Sequence, residues 1–303
     1  PSSAASDVYK RQEQRAFFGT SSSENFIISN VTIDPSRSPF MRDRLDVLAE
    51  ASTLEELENH LKKLPVDVNT FKVLCLNDIE LGVNAKIPHP ERRKIERQIS
   101  LCIDAEGELD NPDIIFAIIQ LGGIWYFGSY TKSISVWLTH VQKPHSYSTA
   151  LSTRVARAVA NIAAPKPENV RVMDPCCGIG TVVVEALSMG IDIVGRDMNP
   201  FVCKGSRTNI AHFGYDTTIT LGPIQEVTEH YDVVIIDLPY NLFTHATREE
   251  QFDIIRHARR IADKVVIVTI ENIDDLLEEV NLKVLDRGIA KKQAFEREIL
   301  VCE

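Results

Sequence analysis

Two short stretches hold side chains whose types and spacing could do chemistry. MDPCCGIGT, residues 173–181, ends an apolar run in Asp174, places Cys176, Gly178 and Gly180 in a turn, and opens a helical run at Thr181. IIDLPY, residues 235–240, ends a second apolar run in Asp237, Leu238, Pro239 and Tyr240. Turn glycines let a ligand approach the backbone, and the free N–H groups at a helix start suit a carboxylate. Asp174 can accept from an ammonium group. A third acid, Asp197, closes IDIVGRD about 20 residues after the glycines, a separation at which an acidic side chain holds two ribose hydroxyls. The implied ligand has a ribose and an amino-acid end, and S-adenosylmethionine has both. Val183 stands where a nicotinamide or flavin fingerprint would want a third glycine.

The second stretch suits an amine acceptor. An exocyclic base nitrogen is a poor nucleophile because its lone pair is conjugated with the ring. Asp237 and the Leu238 carbonyl can accept from its two N–H groups and aim the lone pair at a sulfonium methyl. Pro239 stiffens the turn, and Tyr240 offers a face for a planar ring. Asp237 or water then takes the proton. No metal is required, and the irregular cysteine spacing offers no zinc pattern.

These residues need elements that bring them together. From residue 171 onward strands and helices alternate strictly: VRVMD, TVVVEALSMG, IDIVGRD, NPFVCKGSRTNIAHFG, TTITL, YDVVIID, REEQFDIIRHARRIA, KVVIVTI and NIDDLLEEV, then a closing hairpin of LKVLDRGIA and FEREILVCE. This order predicts an α/β fold, a doubly wound, mostly parallel, Rossmann-like sheet with helices on both faces. Such sheets bind ligands beyond the carboxyl ends of their strands. The strand ending at Asp237 is expected beside the one ending at Asp174. HSYSTALSTRVARAVANIAAPKPENV, residues 145–170, is expected to be a dividing helix with a proline exit.

Upstream, β-rich runs at Asn25–Ile33 and Phe71–Leu76 alternate with helical ones at Thr53–Leu64 and Glu91–Asp104, which suggests an α+β module. Apolar residues at 95, 99 and 103 give the last helix one buried face. NPDIIFAIIQLGGIWYFGSY reads as a hairpin around Gly122 and Gly123. The expected organisation is residues 1–12 as a non-native leader resembling a translated sequencing adaptor, 13–143 as an α+β RNA-binding region, and 144–303 as the catalytic domain.

With 303 residues the chain is long enough for two cores. Its apolar share is 44%, and no run approaches the roughly 20 apolar residues of a membrane span. Six cysteines without a signal peptide suggest reduced thiols and a cytoplasmic protein. The net charge of -10 argues against wholesale nucleic-acid coating but leaves room for a local basic track. Lys86, Arg92, Arg93, Lys94 and Arg97 form one basic stretch, and Lys132, Lys143, Arg154, Arg157, Lys166 and Arg171 a second, in which Glu168 is the one acid between Lys132 and Arg171. Phosphate contacts by Arg92, Arg93, Lys94, Arg97, Lys143 and Arg154 would supply such a track.

DPCCGIGT, GRD and DLPY resemble the motifs of class I S-adenosylmethionine-dependent methyltransferases that modify exocyclic amines. From His145 onward, the helix STALSTRVARAVANIA included, the chain is similar to the tRNA guanosine-N2 methyltransferases of archaea and eukaryotes and their bacterial relatives. The upstream hairpin is similar to the later part of a THUMP-type RNA-binding module, and the first 90 residues match weakly. The resemblance implies cofactor binding at Asp174, Gly178, Gly180 and Asp197, and amine binding at Asp237, Leu238, Pro239 and Tyr240. Cys176, Thr181, Met198 and Ile224 complete the cofactor-binding set. Leu238 replaces the usual first proline of the amine motif. Gly222-Pro223 stands where relatives commonly carry Gly-Asp, which weakens the adenine contact or leaves it to backbone at Ile224 or Gln225. The leading expectation is methylation of guanine N2 in tRNA. Adenine N6, cytosine N4 or a protein glutamine amide are alternative amines, and a cofactor-impaired RNA-binding protein is the alternative class. Monomer and homodimer both stay open.

Overall fold

A computed structural model describes residues 4–77, 86–146, 150–239, 247–292 and 295–303. The chain forms two units, one of residues 1–21, 37–40 and 135–303, the other of residues 22–36 and 41–134.

The larger unit is built on a seven-stranded sheet. Its strands are β6 (Arg171–Asp174), β7 (Asp192–Asp197), β8 (Ile219–Leu221), β9 (Tyr231–Asp237), β10 (Ala262–Thr269), β11 (Val284–Lys292) and β12 (Phe295–Cys302), in the order β11-β12-β10-β9-β6-β7-β8. β10, β9, β6, β7 and β8 run parallel, and the β11–β12 hairpin is antiparallel, against β10 as well. The central strands are apolar throughout because both faces are covered. Val233 and Ile235 face a cluster with Val159 of helix α4 (Thr153–Ala163) and Val183 of α5 (Thr181–Ser188). Their neighbours Val234 and Ile236 point to the opposite face, toward Ile255 of α7 (Arg248–Ile261) and Leu276 of α8 (Asp274–Glu279). Helix α6 (Pro200–His212) contributes Cys203 and Ile210 to the first cluster. The doubly wound α/β expectation holds.

Two local expectations change. Residues 4–12, read from the sequence as part of a non-native leader, supply most of helix α1 (Ala4–Phe18). The amphipathic spacing of that helix buries Tyr9, Gln12, Glu13 and Phe17, and Gln12 Nε2 donates to the Ile299 carbonyl at 3.0 Å. The dividing helix is shorter than residues 145–170: the Ser152 hydroxyl accepts from the Val155 N–H and caps α4, which stops at Ala163.

In the smaller unit, β1 (Asp43–Ala51), β2 (Thr70–Cys75), β3 (Glu106–Gly107), β4 (Ile114–Leu121) and β5 (Ile124–Lys132) form a sheet in the order β1-β5-β4-β2-β3. Helices α2 (Leu54–Leu61) and α3 (His89–Ser100) cover it. Ile95, Ile99 and Ile103 are all buried, as their spacing required, although α3 ends before the last of them. The hairpin turns at Gly122 and Gly123, both with positive φ. Asn25–Ile33 forms no strand, and Ile28 is exposed. The first strand lies instead in the acidic run DRLDVLAEA, where a bulge between Val47 and Ala49 breaks the alternation that would have revealed it.

Candidate active site

The carboxyl ends of β6, β7 and β9, neighbouring parallel strands, carry Asp174, Asp197 and Asp237. After β6 the chain turns through Gly178 (φ 52°) and Gly180 (φ 77°) into α5. Any Cβ at Gly180 would stand 2.4 Å from Ser206 Oγ of α6, so the close approach of that helix, as well as the left-handed backbone, requires glycine there. The turn is fastened to β7 through its main-chain N–H groups: Cys177 N–H donates to the Arg196 carbonyl at 3.0 Å and Gly178 N–H to the side-chain Oδ2 of Asp197 at 2.9 Å. Cys176 N–H donates to Asp174 Oδ1 at 3.1 Å.

Asn209 is a site-supporting residue that no sequence pattern had marked. It is fully buried on α6, where its Nδ2 donates to the carbonyls of Ile179 and His145 and its Oδ1 accepts from His145 N–H. A wholly buried asparagine in a helix needs such partners. The only sequence hint was an amide on the face otherwise defined by Cys203, Ser206 and Ile210.

The strand ends enclose a cavity of about 300 Å³. Cys176, Gly178, Asp197, Met198 and Ile224 line it, as do Asp237, Leu238 and Pro239. Ala150, Pro175, Gln225 and Ile254, unassigned from sequence except for the backbone of Gln225, complete it. Asp174, Gly180 and Thr181 are outside that lining; Asp174 and Thr181 are buried, and the Thr181 hydroxyl has no hydrogen-bond partner among the described residues. Met198 is largely exposed.

Electrostatically the cavity is short of positive charge. Burial pushes Asp174 well above the usual carboxylate range, against the Cys176 N–H bond, and the charges of Asp237 and Asp197 add to the rise. Burial also raises Asp237 to about 7, with Arg297 opposing. Asp237 Oδ1 is buried and has no hydrogen-bond partner among the described residues. A cationic ligand with N–H groups would relieve both effects. Burial and the same three carboxylates raise the Cys176 thiol strongly, which makes it a poor nucleophile. Among the described residues no cluster of three or more His, Cys, Asp or Glu side chains could hold a metal, and no helix is long and apolar enough to cross a membrane.

Leu238 has a structural reason to differ from proline. Its N–H donates to the Val268 carbonyl at 2.9 Å, extending the β9–β10 pairing, and its side chain is buried with Ile236 and Ile267. Tyr240 lies outside the described residues.

The basic residues divide between the units. Arg92, Arg93, Lys94 and Arg97 lie on α3 of the smaller unit, where Lys72, His89, Arg92 and Arg93 help to line a cleft of about 380 Å³. Glu96 and Asp110 also line it, and Arg93 pairs with Glu96 at 3.2 Å. In the larger unit, Lys143 is half-buried, and the Arg154 guanidinium stands 4.9 Å from the Phe40 ring centre and 5.9 Å from that of Trp137. Arg157 belongs to no surface track. It is buried, donating to Glu185 Oε2 at 2.9 Å while Glu185 Oε1 meets His140 Nδ1 at 2.7 Å.

The chain is similar in sequence to several known proteins over part of its length. A tRNA (guanine(10)-N2)-dimethyltransferase of Methanothermobacter thermautotrophicus is 28% identical over 118 residues, 38% of this chain and 35% of that protein. Its counterpart in Methanocaldococcus jannaschii is 23% identical over 197 residues, 59% of this chain and 56% of that protein. The human U6 snRNA (guanine-N(2))-methyltransferase THUMPD2 is 31% identical over 97 residues, 30% of this chain and 19% of that protein. The chain thus spans only 19% to 56% of the length of these relatives. The crystal structure of TrmN from Thermus thermophilus aligns over 87% of this chain and 83% of that one, with 15% identity and a TM-score of 0.46. Residues 141–266 match the family described as RMKL-like, methyltransferase domain.

Proposed function

We propose that this chain is an S-adenosylmethionine-dependent N-methyltransferase acting on an exocyclic base amine of RNA, guanine N2 in tRNA. The observation that carries this reading is that Asp197 and Asp237 line one cavity while Asp174 is buried at the end of the parallel strand between theirs, with Asp237 Oδ1 buried and without a hydrogen-bond partner among the described residues.

The residues present fit that cofactor. When bound, it supplies an electrophilic methyl group on a sulfonium centre. Its ammonium group suits Asp174, its ribose hydroxyls suit Asp197, and its carboxylate suits the start of α5 beyond Gly180. Asp197 Oδ1 and Oδ2 each accept one backbone N–H, from Asn199 at 2.8 Å and Gly178 at 2.9 Å, and a carboxylate oxygen has a second lone pair for a hydroxyl. Two positive centres also match a cavity lined by Asp197 and Asp237 with the buried Asp174 nearby.

Asp237 and the Leu238 carbonyl accept from the target amine and orient its lone pair, and Asp237 takes the proton that the new N–CH3 bond releases. Pro239 holds the turn, and Tyr240 is assigned the stacking face by the motif alone. The base of a structured RNA has to leave its stack to reach this depth.

The similarity to enzymes named for guanine N2 favours that amine over adenine N6, cytosine N4 or glutamine. We read residues 13–143 as THUMP-like and assign Arg92, Arg93, Lys94, Arg97, Lys143 and Arg154 to phosphate contacts, the cleft beside Arg92 and Arg93 being the feature that supports a nucleic-acid role. A tRNA substrate places the protein in the cytoplasm. The test is transfer of labelled methyl from S-adenosylmethionine into unmodified tRNA, followed by digestion to nucleosides. Label in N2-methylguanosine that vanishes in Asp237→Ala supports the reading; label in another nucleoside moves the amine; binding of RNA without cofactor binding replaces the enzyme with an RNA-binding protein.

A further inference from the structure

One wall of the cavity is the short turn from Gly222 to Gln225, which presents Ile224 and Gln225. Pro223 brings neither an N–H nor a polar side chain, and Gly222 has no side chain. The Gln225 side chain is engaged by Asp253 of α7. This wall can therefore recognise a ring edge only with main-chain groups. Ile224–Glu226 is a single 3-10 turn, in which Glu226 N–H donates to the Pro223 carbonyl at 3.3 Å. The N–H groups of Ile224 and Gln225 occupy the two leading positions, which have no acceptor inside the turn itself.

Main-chain donors discriminate between ring edges only if they are held in place, and Arg196 is the group that holds them. Its Nε donates to the Pro223 carbonyl at 3.0 Å, one terminal nitrogen to Thr220 Oγ1 at 3.1 Å, and the other to Glu226 Oε2 at 2.6 Å. The guanidinium thus grips the chain before, within and after the turn. Gly222, at φ 140°, makes room for it: a Cβ there would stand 2.2 Å from an Arg196 terminal nitrogen. Gly222 N–H is in turn fixed to the Asp197 carbonyl at 3.0 Å, and the Arg196 side chain is only 13% exposed. A planar fork with several donors can hold three acceptors at once, which an ammonium cannot do in the same geometry.

We propose that Arg196 is a specificity-determining positioning residue, which holds the Gly222–Gln225 wall so that its main-chain donors select adenine over a 6-oxopurine. N1 of adenine is an acceptor and suits a fixed N–H, whereas N1 of hypoxanthine carries a proton and opposes it. The inference rests on the cofactor reading above and adds the residue that enforces the choice of base.

The test is calorimetric titration of the full chain with S-adenosylhomocysteine and with its inosine counterpart, for the wild type, Arg196→Gln and Arg196→Lys. The wild type is expected to favour the adenine form by about tenfold or more, because a site built to hydrogen-bond one edge leaves its donors unpaired against the other. Arg196→Gln should weaken the adenine form by about tenfold and the inosine form by less than about twofold, bringing the ratio close to one. Equal losses for both ligands, as a purely structural role would give, overturn the proposal. Equal wild-type affinities also overturn it while leaving the cofactor reading intact; failure of the wild type to bind either ligand removes both. Should Arg196→Gln not fold, Arg196→Lys, which keeps the charge but lacks the fork, must still lower the adenine preference, and an unchanged preference rejects the assignment.

Discussion

Gly178 N–H donates to Asp197 Oδ2 at 2.9 Å, so the glycine turn after β6 and the acidic end of β7 are one hydrogen-bonded unit before any ligand arrives. Asn199 N–H occupies the other oxygen at 2.8 Å, leaving the carboxylate oriented with lone pairs to spare. Asp197→Asn would set an NH2 group against one of these two N–H donors. We expect cofactor affinity to fall by about 10- to 100-fold, the range for loss of a hydrogen bond to a charged group, as measured by calorimetry. Unchanged affinity would remove Asp197 from the site.

Asp237 is expected to act through its ionised form. Burial raises its carboxyl to about 7, so kcat/KM should climb with pH and level off above about 7, where the carboxylate predominates. Asp237→Asn should lower kcat by about 100-fold or more and remove that limb of the profile. A variant that keeps the limb would show that another group titrates.

The ligand-free protein should lose stability as pH rises toward neutrality. Asp237 and Glu13 are both lifted by burial to about 7, from ordinary values of 3.8 and 4.5, and Asp174 is raised as well. Between the unfolded values and about 7 the folded state holds more protons than the unfolded state, so the contribution of these groups is present at low pH and lost through that window. Thermal melts across it should decline less steeply for Asp237→Asn than for the wild type. A parallel decline in both would contradict this origin.

Glu185 holds together the polar cluster beneath the α4–α5 face. Both its oxygens are engaged, by His140 and Arg157, and all three side chains are buried. Glu185→Ala leaves a buried arginine without its carboxylate and should cost about 3–5 kcal/mol in urea denaturation. A loss below about 1 kcal/mol would show that water or neighbouring groups replace the carboxylate.

The sequence by itself determined the parallel α/β unit, because strands covered on both faces must be apolar throughout and helices between them must carry one apolar stripe. The strand-end positions of Asp174, Asp197 and Asp237 were legible as well, because each ends an apolar run. Ile95, Ile99 and Ile103 likewise announced their buried face by spacing alone. Features that depend on partners distant along the chain were illegible. β1 hides in an acidic run because its alternation breaks at a bulge, and α1 looks like a polar leader until β11 and α4 cover its apolar side. Arg157 looks like any other basic residue in a helix until Glu185, 28 positions later, proves to be its partner. Only the tertiary structure decided the role of Asn209, whose acceptors are main-chain carbonyls brought near by folding, and that of Arg196, whose Nε finds the Pro223 carbonyl. A carbonyl has no residue type, so no pattern of letters marks the side chain that will find it.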